Sequence, residues 1–230
     1  MTSSSEGPGL HSKWRGVVDS LEAIIPFYEK GSSRISLFSD RVMRDDVAAF
    51  AVEGEKGTLV LDLGAGPGTL SRVVARAGGT LVLADASRKM LSRASGFDRV
   101  QCVFENLPFR PGTFGAAVAG FSIRDSQDLA TALREIKAAT KPGGRFAFCD
   151  LGKPTSKVKA RLVGFYIAVA PPVIGFFTGG RAGLRFGSLR ATYRLVLDNG
   201  SLRKFLLVYF REVSIKERQM GGSIVVRCSL

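Results

Sequence analysis

The chain has 230 residues, 45% of them apolar, enough to bury one good core in a single domain with a terminal extension. Cys102, Cys149 and Cys228 lie far apart without a C-x-x-C pair, which argues against a disulfide framework and a structural zinc site; His11 is the only histidine, which argues against imidazole chemistry. The formal charge of +13 is uneven, with 14 Lys and Arg against 3 Asp and Glu in residues 151–230, and such a face attracts polyanions, whether nucleic acid or an anionic membrane leaflet.

Residues 1–12 are rich in Ser and Gly and have no apolar core of a signal peptide, so a disordered tail and a cytoplasmic protein are expected. The rest, 13–230, is expected to form one domain, opening with a helical cap over 13–54. That cap brings Tyr28, Arg34, Asp40 and Arg41 near the entrance of a ligand site, where Tyr28 either covers the ligand or joins the core.

A strand over 58–63 runs into Asp62-Leu63-Gly64-Ala65-Gly66-Pro67-Gly68, and a helix over 69–77 follows. Without a Cβ, Gly64, Gly66 and Gly68 let the backbone pass close under a ligand, while the helix start behind them offers unpaired N–H groups. Thr69 stands where the dinucleotide fingerprint needs its third glycine, which disfavours a nicotinamide or flavin. A second apolar run over 80–85 ends in Asp85, placed to accept two hydrogen bonds from a ribose diol. That combination suits S-adenosylmethionine, with Asp62 holding either the loop amides or the cofactor's ammonium. Transfer of a methyl group from a sulfonium needs no imidazole, since alignment and desolvation are the main tasks.

Beyond the loop the periodicity predicts helix 87–94, strands 99–104 and 115–119, helix 127–139 and strand 145–150, an alternation that implies a parallel sheet with helices on both faces. Ser126 is the expected N-cap of helix 127–139, and Lys141-Pro142-Gly143-Gly144 its stop. Residues 162–180 carry no charge and are long enough to be tested as a membrane span. Pro171-Pro172 at the centre argues against one continuous helix and for a broken hairpin or lid within 155–200. Lys153, Lys157, Lys159 and Arg161 precede the run and Arg181, Arg185, Arg190 and Arg194 follow it, the pattern of an interfacial segment on anionic lipid; an ordinary core helix is the other reading. A helix over 201–209 and strands over 212–216 and 223–226, joined through Gly221-Gly222, complete the chain.

These residues resemble the class I S-adenosylmethionine-dependent methyltransferases and, within them, the ubiquinone/menaquinone biosynthesis C-methyltransferases. The resemblance covers about residues 20–228 and rests on Tyr28 with Asp40-Arg41, the glycine loop, Glu105-Asn106-Leu107-Pro108-Phe109, Phe121-Ser122-Ile123-Arg124-Asp125, Ala132-Leu133-Arg134-Glu135, Lys141-Pro142-Gly143-Gly144-Arg145 and Lys153-Pro154. It implies a Rossmann-like α/β fold: a mostly parallel seven-stranded sheet with an antiparallel C-terminal strand. It also implies a cofactor site of Tyr28, Asp62, Gly64, Ala65, Gly66, Gly68, Asp85, Ala86, Phe104, Glu105 and Phe121, a reaction centre of Arg124 and Asp125, no metal, and a prenylated quinol as acceptor. Two departures stand out. Val103 and Phe104 replace the family's Asp-Ala or Asn-Ala, so adenine must rely on backbone groups of residues 103–105, on stacking by Phe104 or on Glu105; Asp125 replaces the family's Asn and so supplies either a general base or a different acceptor preference. Other readings are a methyltransferase of another lipid or small molecule, an inactive cofactor-binding scaffold, and an RNA methyltransferase. The last is disfavoured because Gly120-Phe121-Ser122-Ile123 lacks the [DN]-P-P-[FY] grip on a base amine.

Overall fold

A computed structural model describes Gly16, Glu22 and residues 27–230; the expected tail over 1–12, His11 and most of the first helical stretch lie outside the described residues. Seven strands form one sheet: β1 (Leu59–Leu63), β2 (Thr80–Asp85), β3 (Asp98–Gln101), β4 (Phe114–Gly120), β5 (Thr140–Leu151), β6 (Glu212–Arg218) and β7 (Ser223–Ser229), in the order β3-β2-β1-β4-β5-β7-β6. β7 is antiparallel to both of its neighbours and the other adjacent pairs are parallel, as the resemblance implied. The central strands are almost uniformly apolar because helices cover both faces. One layer buries Leu133, Ile136, Phe146, Phe148, Leu206 and Ile224, and the other Met43, Val47, Val74, Leu83, Leu91 and Val225.

Within residues 27–230 the α-helices are α1 (Tyr28–Ile35), α2 (Asp40–Ala51), α3 (Thr69–Arg76), α4 (Arg88–Leu91), α5 (Leu129–Ala139), α6 (Lys157–Gly183), α7 (Leu189–Leu195) and α8 (Asn199–Leu206). The sheet order reverses beside β1, between its neighbours β2 and β4, and a crevice opens there at the carboxyl ends of the strands.

Three expectations change. Asp128, not Ser126, caps α5: its carboxylate accepts from the Ala130 N–H at 3.0 Å, while Ser126, two residues earlier, closes the preceding 3-10 turn. The Lys141–Gly144 turn is absorbed into β5, which begins at Thr140 and slips register against β4 between Phe114 and Ala116. The helix is not broken at Pro171-Pro172. α6 runs through both and breaks at Gly179 and Gly180, where Gly180 takes φ 59°. Proline fixes φ near the helical value, so two adjacent prolines remove hydrogen bonds without turning the chain; a glycine with positive φ turns it at no steric cost. The turn lays Gly183 on Gly175, where an ideal Cβ on Gly183 would stand 1.8 Å from the Gly175 carbonyl oxygen.

Candidate functional site

Two cavities meet at the carboxyl ends of β1, β2 and β4. The first is a cleft lined by Asp62, Gly64, Ala65, Gly66, Asp85, Ala86, Phe104, Glu105, Phe121 and Asp125, so ten of the sequence-derived site residues converge. Gly68 stands behind the loop, with φ 78°, as the N-cap of α3. Arg124 borders the neighbouring cavity. The Tyr28 side chain lies outside the described residues.

The loop has a simple logic. β1 ends at Leu63, and Gly64 (φ 59°) must turn under β4, where an added Cβ would meet Ser122 Cβ at 2.5 Å. Gly66 (φ 54°) faces open space, with no atom within 4 Å of the position its Cβ would occupy. Its amide is fixed by Asp85: Oδ2 accepts from Gly66 N–H at 2.8 Å and Oδ1 from Ser87 N–H at 2.8 Å. Asp85 therefore holds the loop, a task the sequence had left open to Asp62. Each Asp85 oxygen keeps a lone pair for a ligand. Burial raises the Asp85 pKa, against the two amide bonds.

Asp62 is fully buried. Its Oδ2 accepts from Ser71 Oγ at 2.5 Å, and its Oδ1 has no partner among the described residues. Burial pushes this carboxyl up to about 7, against the Ser71 hydrogen bond, with the Asp85 charge adding to the rise. An orphaned buried carboxylate oxygen facing a cleft is a place for a cationic ligand group. With the ribose-ready Asp85 and the open cradle over Gly66, these residues fit S-adenosylmethionine.

Glu105 is committed to the protein: its Oε1 accepts from the amides of Gln127 and Asp128 at 2.6 and 3.1 Å. Of the three adenine contacts left open by the sequence, Phe104 and the backbone therefore remain the better placed. Arg44 also lines the cleft, a buried cation that spacing alone did not single out. It pairs with Asp40 at 2.5 Å and lies 5.1 Å from the centre of the Phe121 ring. The only sequence signal was its i, i+4 spacing from Asp40.

The second cavity is mainly apolar, lined by Ile35, Leu151, Val163, Tyr166, Ile167 and Phe186 among others, with Asp40, Arg124, Gln219 and several serines among its polar members. The Phe121 ring is a wall of both cavities. Phe121 adopts φ 60°, held by its N–H on the Cys149 carbonyl at 2.7 Å and by its own carbonyl accepting from Arg124 at 2.6 Å. Arg124 also pairs with buried Asp150 and lies 3.6 Å from Asp125. Burial pushes Asp125 up to about 6, opposed by Arg124 and assisted by the charges of Asp150 and Asp85. The three cysteines are free and buried, and burial pushes each thiol up to about 12, so none is a ready nucleophile. No cluster of metal-ligating side chains occurs among the described residues.

Comparison with known proteins agrees with this geometry. A family described as a methyltransferase domain matches residues 61–148. A demethylmenaquinone methyltransferase of Streptomyces avermitilis is 35% identical over 151 residues, 64% of this chain and 65% of that protein. Another, from Clavibacter sepedonicus, is 32% identical over 172 residues, 71% of this chain and 70% of its own length. The chain thus spans about two thirds of these relatives. In structure it is similar to an S-adenosylmethionine-dependent methyltransferase of Thermotoga maritima, with a TM-score of 0.64 at 15% identity, covering 92% of this chain and 98% of that one.

Proposed function

The chain belongs to the demethylmenaquinone methyltransferase family of S-adenosylmethionine-dependent methyltransferases, and on that premise we propose that it C-methylates the ring of a prenylated, demethylmenaquinol-like quinol. The observation that carries this reading is the apolar cavity sharing the Phe121 wall with the Asp62 and Asp85 cleft. An apolar ring and tail have room on one side of that wall and a charged cofactor on the other.

When bound, the cofactor supplies an electrophilic methyl whose departure leaves a neutral thioether. The chain's residues do the rest. Asp85 would accept from the ribose hydroxyls and Asp62 Oδ1 from the ammonium, and the Gly64–Gly68 loop with Ala65 and Ala86 would let the backbone approach. Phe104 would stack on the adenine; Tyr28, whose side chain lies outside the described residues, is the sequence's candidate to cover the methionine end. A quinol carbon becomes nucleophilic when a ring hydroxyl loses its proton, and after accepting the methyl group that carbon loses its own hydrogen as a proton, restoring the aromatic ring. Asp125 is the proposed base, since burial raises its proton affinity while the carboxylate still predominates at neutral pH. Arg124, held by Asp150 and the Phe121 carbonyl, offers fixed positive charge to the developing phenolate. An acceptor of this kind is dissolved in lipid, so the protein works from the cytoplasm at the inner face of the membrane.

A second acceptor class, another lipid or small molecule, is kept by Asp125 in place of the family's amide. Incubation with labelled S-adenosylmethionine and a lipid extract of the host tests both. Label in the quinone fraction supports the first reading, and label in another lipid fraction the second. Label in RNA supplied in place of the extract, or cofactor binding with no labelled product from either, would overturn both.

A further inference from the structure

The mouth of the apolar cavity is framed by two strained turns. Leu37 and Phe38, between α1 and α2, have φ of 50° and 60°; Gln219 and Met220, before β7, have 51° and 58°. None is Gly, Asn or Asp, so all four occupy a region that a Cβ disfavours. The Gln219 amide clasps the two turns, donating to the Ser36 carbonyl and to Ser39 Oγ, while its oxygen accepts from Ser223 Oγ. What this arrangement holds out to solvent is apolar: Phe38 is 70% exposed, Leu37 60% and Met220 58%.

The apolar surface continues along α6. Leu162 lines the cavity and is itself exposed, and Val158, Leu162, Phe165, Val169, Val173, Phe176 and Phe177 recur at helical spacing on its outer face. Phe177 is 82% exposed. Val163, Ile167, Pro171 and Gly175 are buried on the opposite face. By length and composition the segment could cross a membrane. It is nevertheless tied into the domain, with the Tyr166 hydroxyl on the Ile35 carbonyl at 2.8 Å and Arg34 on Thr178 at 3.0 Å, so a span would have to break the fold.

Charge selects the occupant of this face. No acidic residue occurs between Asp150 and Asp198, while Lys157, Lys159 and Arg161 flank the first turn of the stripe and Arg181, Arg185, Arg190 and Arg194 follow it, all exposed. A second copy would set like charges against like, with no carboxylate to answer them. An anionic leaflet supplies both an apolar interior and a negative rim. We propose that this face docks on an anionic lipid leaflet, with Phe38, Phe165 and Phe177 entering the acyl boundary, so that the cavity opens into lipid and not into water. The docking stands on the surface itself; only its use for acceptor entry rests on the quinol reading.

Co-sedimentation tests it, using vesicles of phosphatidylcholine alone and of phosphatidylcholine mixed with phosphatidylglycerol. The full chain should sediment with the mixed vesicles, much less with the neutral ones, and be released largely by high salt, which shortens electrostatic reach from about 10 Å at 0.1 M to about 3 Å at 1 M. Phe38→Ser, and separately Phe165→Ser with Phe177→Ser, should lower partition about tenfold or more with unchanged circular dichroism, because exposed aromatics are removed. None of the three lines either cavity. Methylation of a short, water-soluble quinol should therefore persist in the variants, while methylation of a long-chain quinol in vesicles falls with partition. Variants that sediment like the parent would overturn the proposal, as would release by detergent alone. So would a dimer in solution that the variants convert to monomer. Failure of every quinol as acceptor would sink the acceptor reading while leaving the sedimentation result to decide the docking.

Discussion

Asp85 does two jobs with one carboxylate, since it fixes the Gly66 amide and faces the cleft. Asp85→Ala should therefore lower cofactor affinity by roughly 30- to 1000-fold, the equivalent of about 2–4 kcal/mol, by calorimetry; an unchanged dissociation constant would reject the assignment. Asp125→Asn separates binding from chemistry. It should leave cofactor affinity nearly intact and cut turnover about 100- to 10,000-fold if Asp125 is the base. In the parent, kcat should rise with pH through about 6, as Asp125 loses its proton, and that limb should vanish in the variant. Full activity of Asp125→Asn would pass the proton to water or to the substrate itself. The glycine loop and both strand-end carboxylates were legible in the sequence because they are local signals. Arg44 and the Phe121 partition were not: one needs α2 laid against the sheet, and the other a positive φ that no propensity announces in phenylalanine.

At the level of elements, periodicity located the alternating strands and helices as far as β5, and α8, β6 and β7 beyond the apolar run, because most carry their own apolar pattern. It failed where tertiary contact overrules a local rule. The two prolines of α6 are carried through, and the chain reverses instead at Gly179 and Gly180, where the return brings Gly183 against Gly175 backbone to backbone. Phe186 follows into the space beside Gly31, whose ideal Cβ would stand 2.4 Å from Phe186 Cζ. Gly183→Ala should therefore destabilise the protein by about 3 kcal/mol, since the Cβ meets rigid backbone and no rotamer change relieves it. A lowered denaturant midpoint, with faster amide exchange concentrated in residues 157–195, would show it. An unchanged midpoint would mean that α6 and the following turn are not packed this closely in solution.

Over the whole molecule, the fold concentrates buried carboxyls at one end of the sheet, and their titration couples folding to ligand. Asp62 rises to about 7 and Asp125 to about 6, each mainly through burial, and Asp85 is raised as well. A carboxyl with a raised folded pKa binds more protons folded than unfolded between its two pKa values, so its contribution is full below about 4 and is lost as pH climbs through the folded value. Asp46, Asp128 and Asp198 are shifted the other way, by cationic or hydrogen-bonding partners, and their small contribution is lost as pH falls. Without ligand the protein should accordingly be most stable near about pH 4 and weaken as pH rises toward about 7. If Asp62 receives the ammonium as proposed, the cofactor's positive charges should oppose the trend by favouring ionised Asp62. At a hundred times its dissociation constant the cofactor should add about 2.7 kcal/mol, a rise in Tm of roughly 5–11 °C. Its affinity should strengthen between about pH 6 and 8, with protons released on binding. Thermal scans at several pH values, paired with calorimetry in buffers of different ionisation enthalpy, measure both effects. Asp62→Asn should flatten the falling limb of the ligand-free stability profile and abolish most of the proton release. Equal proton release in that variant would place the titrating group elsewhere in the cleft, with Asp125 the next to replace.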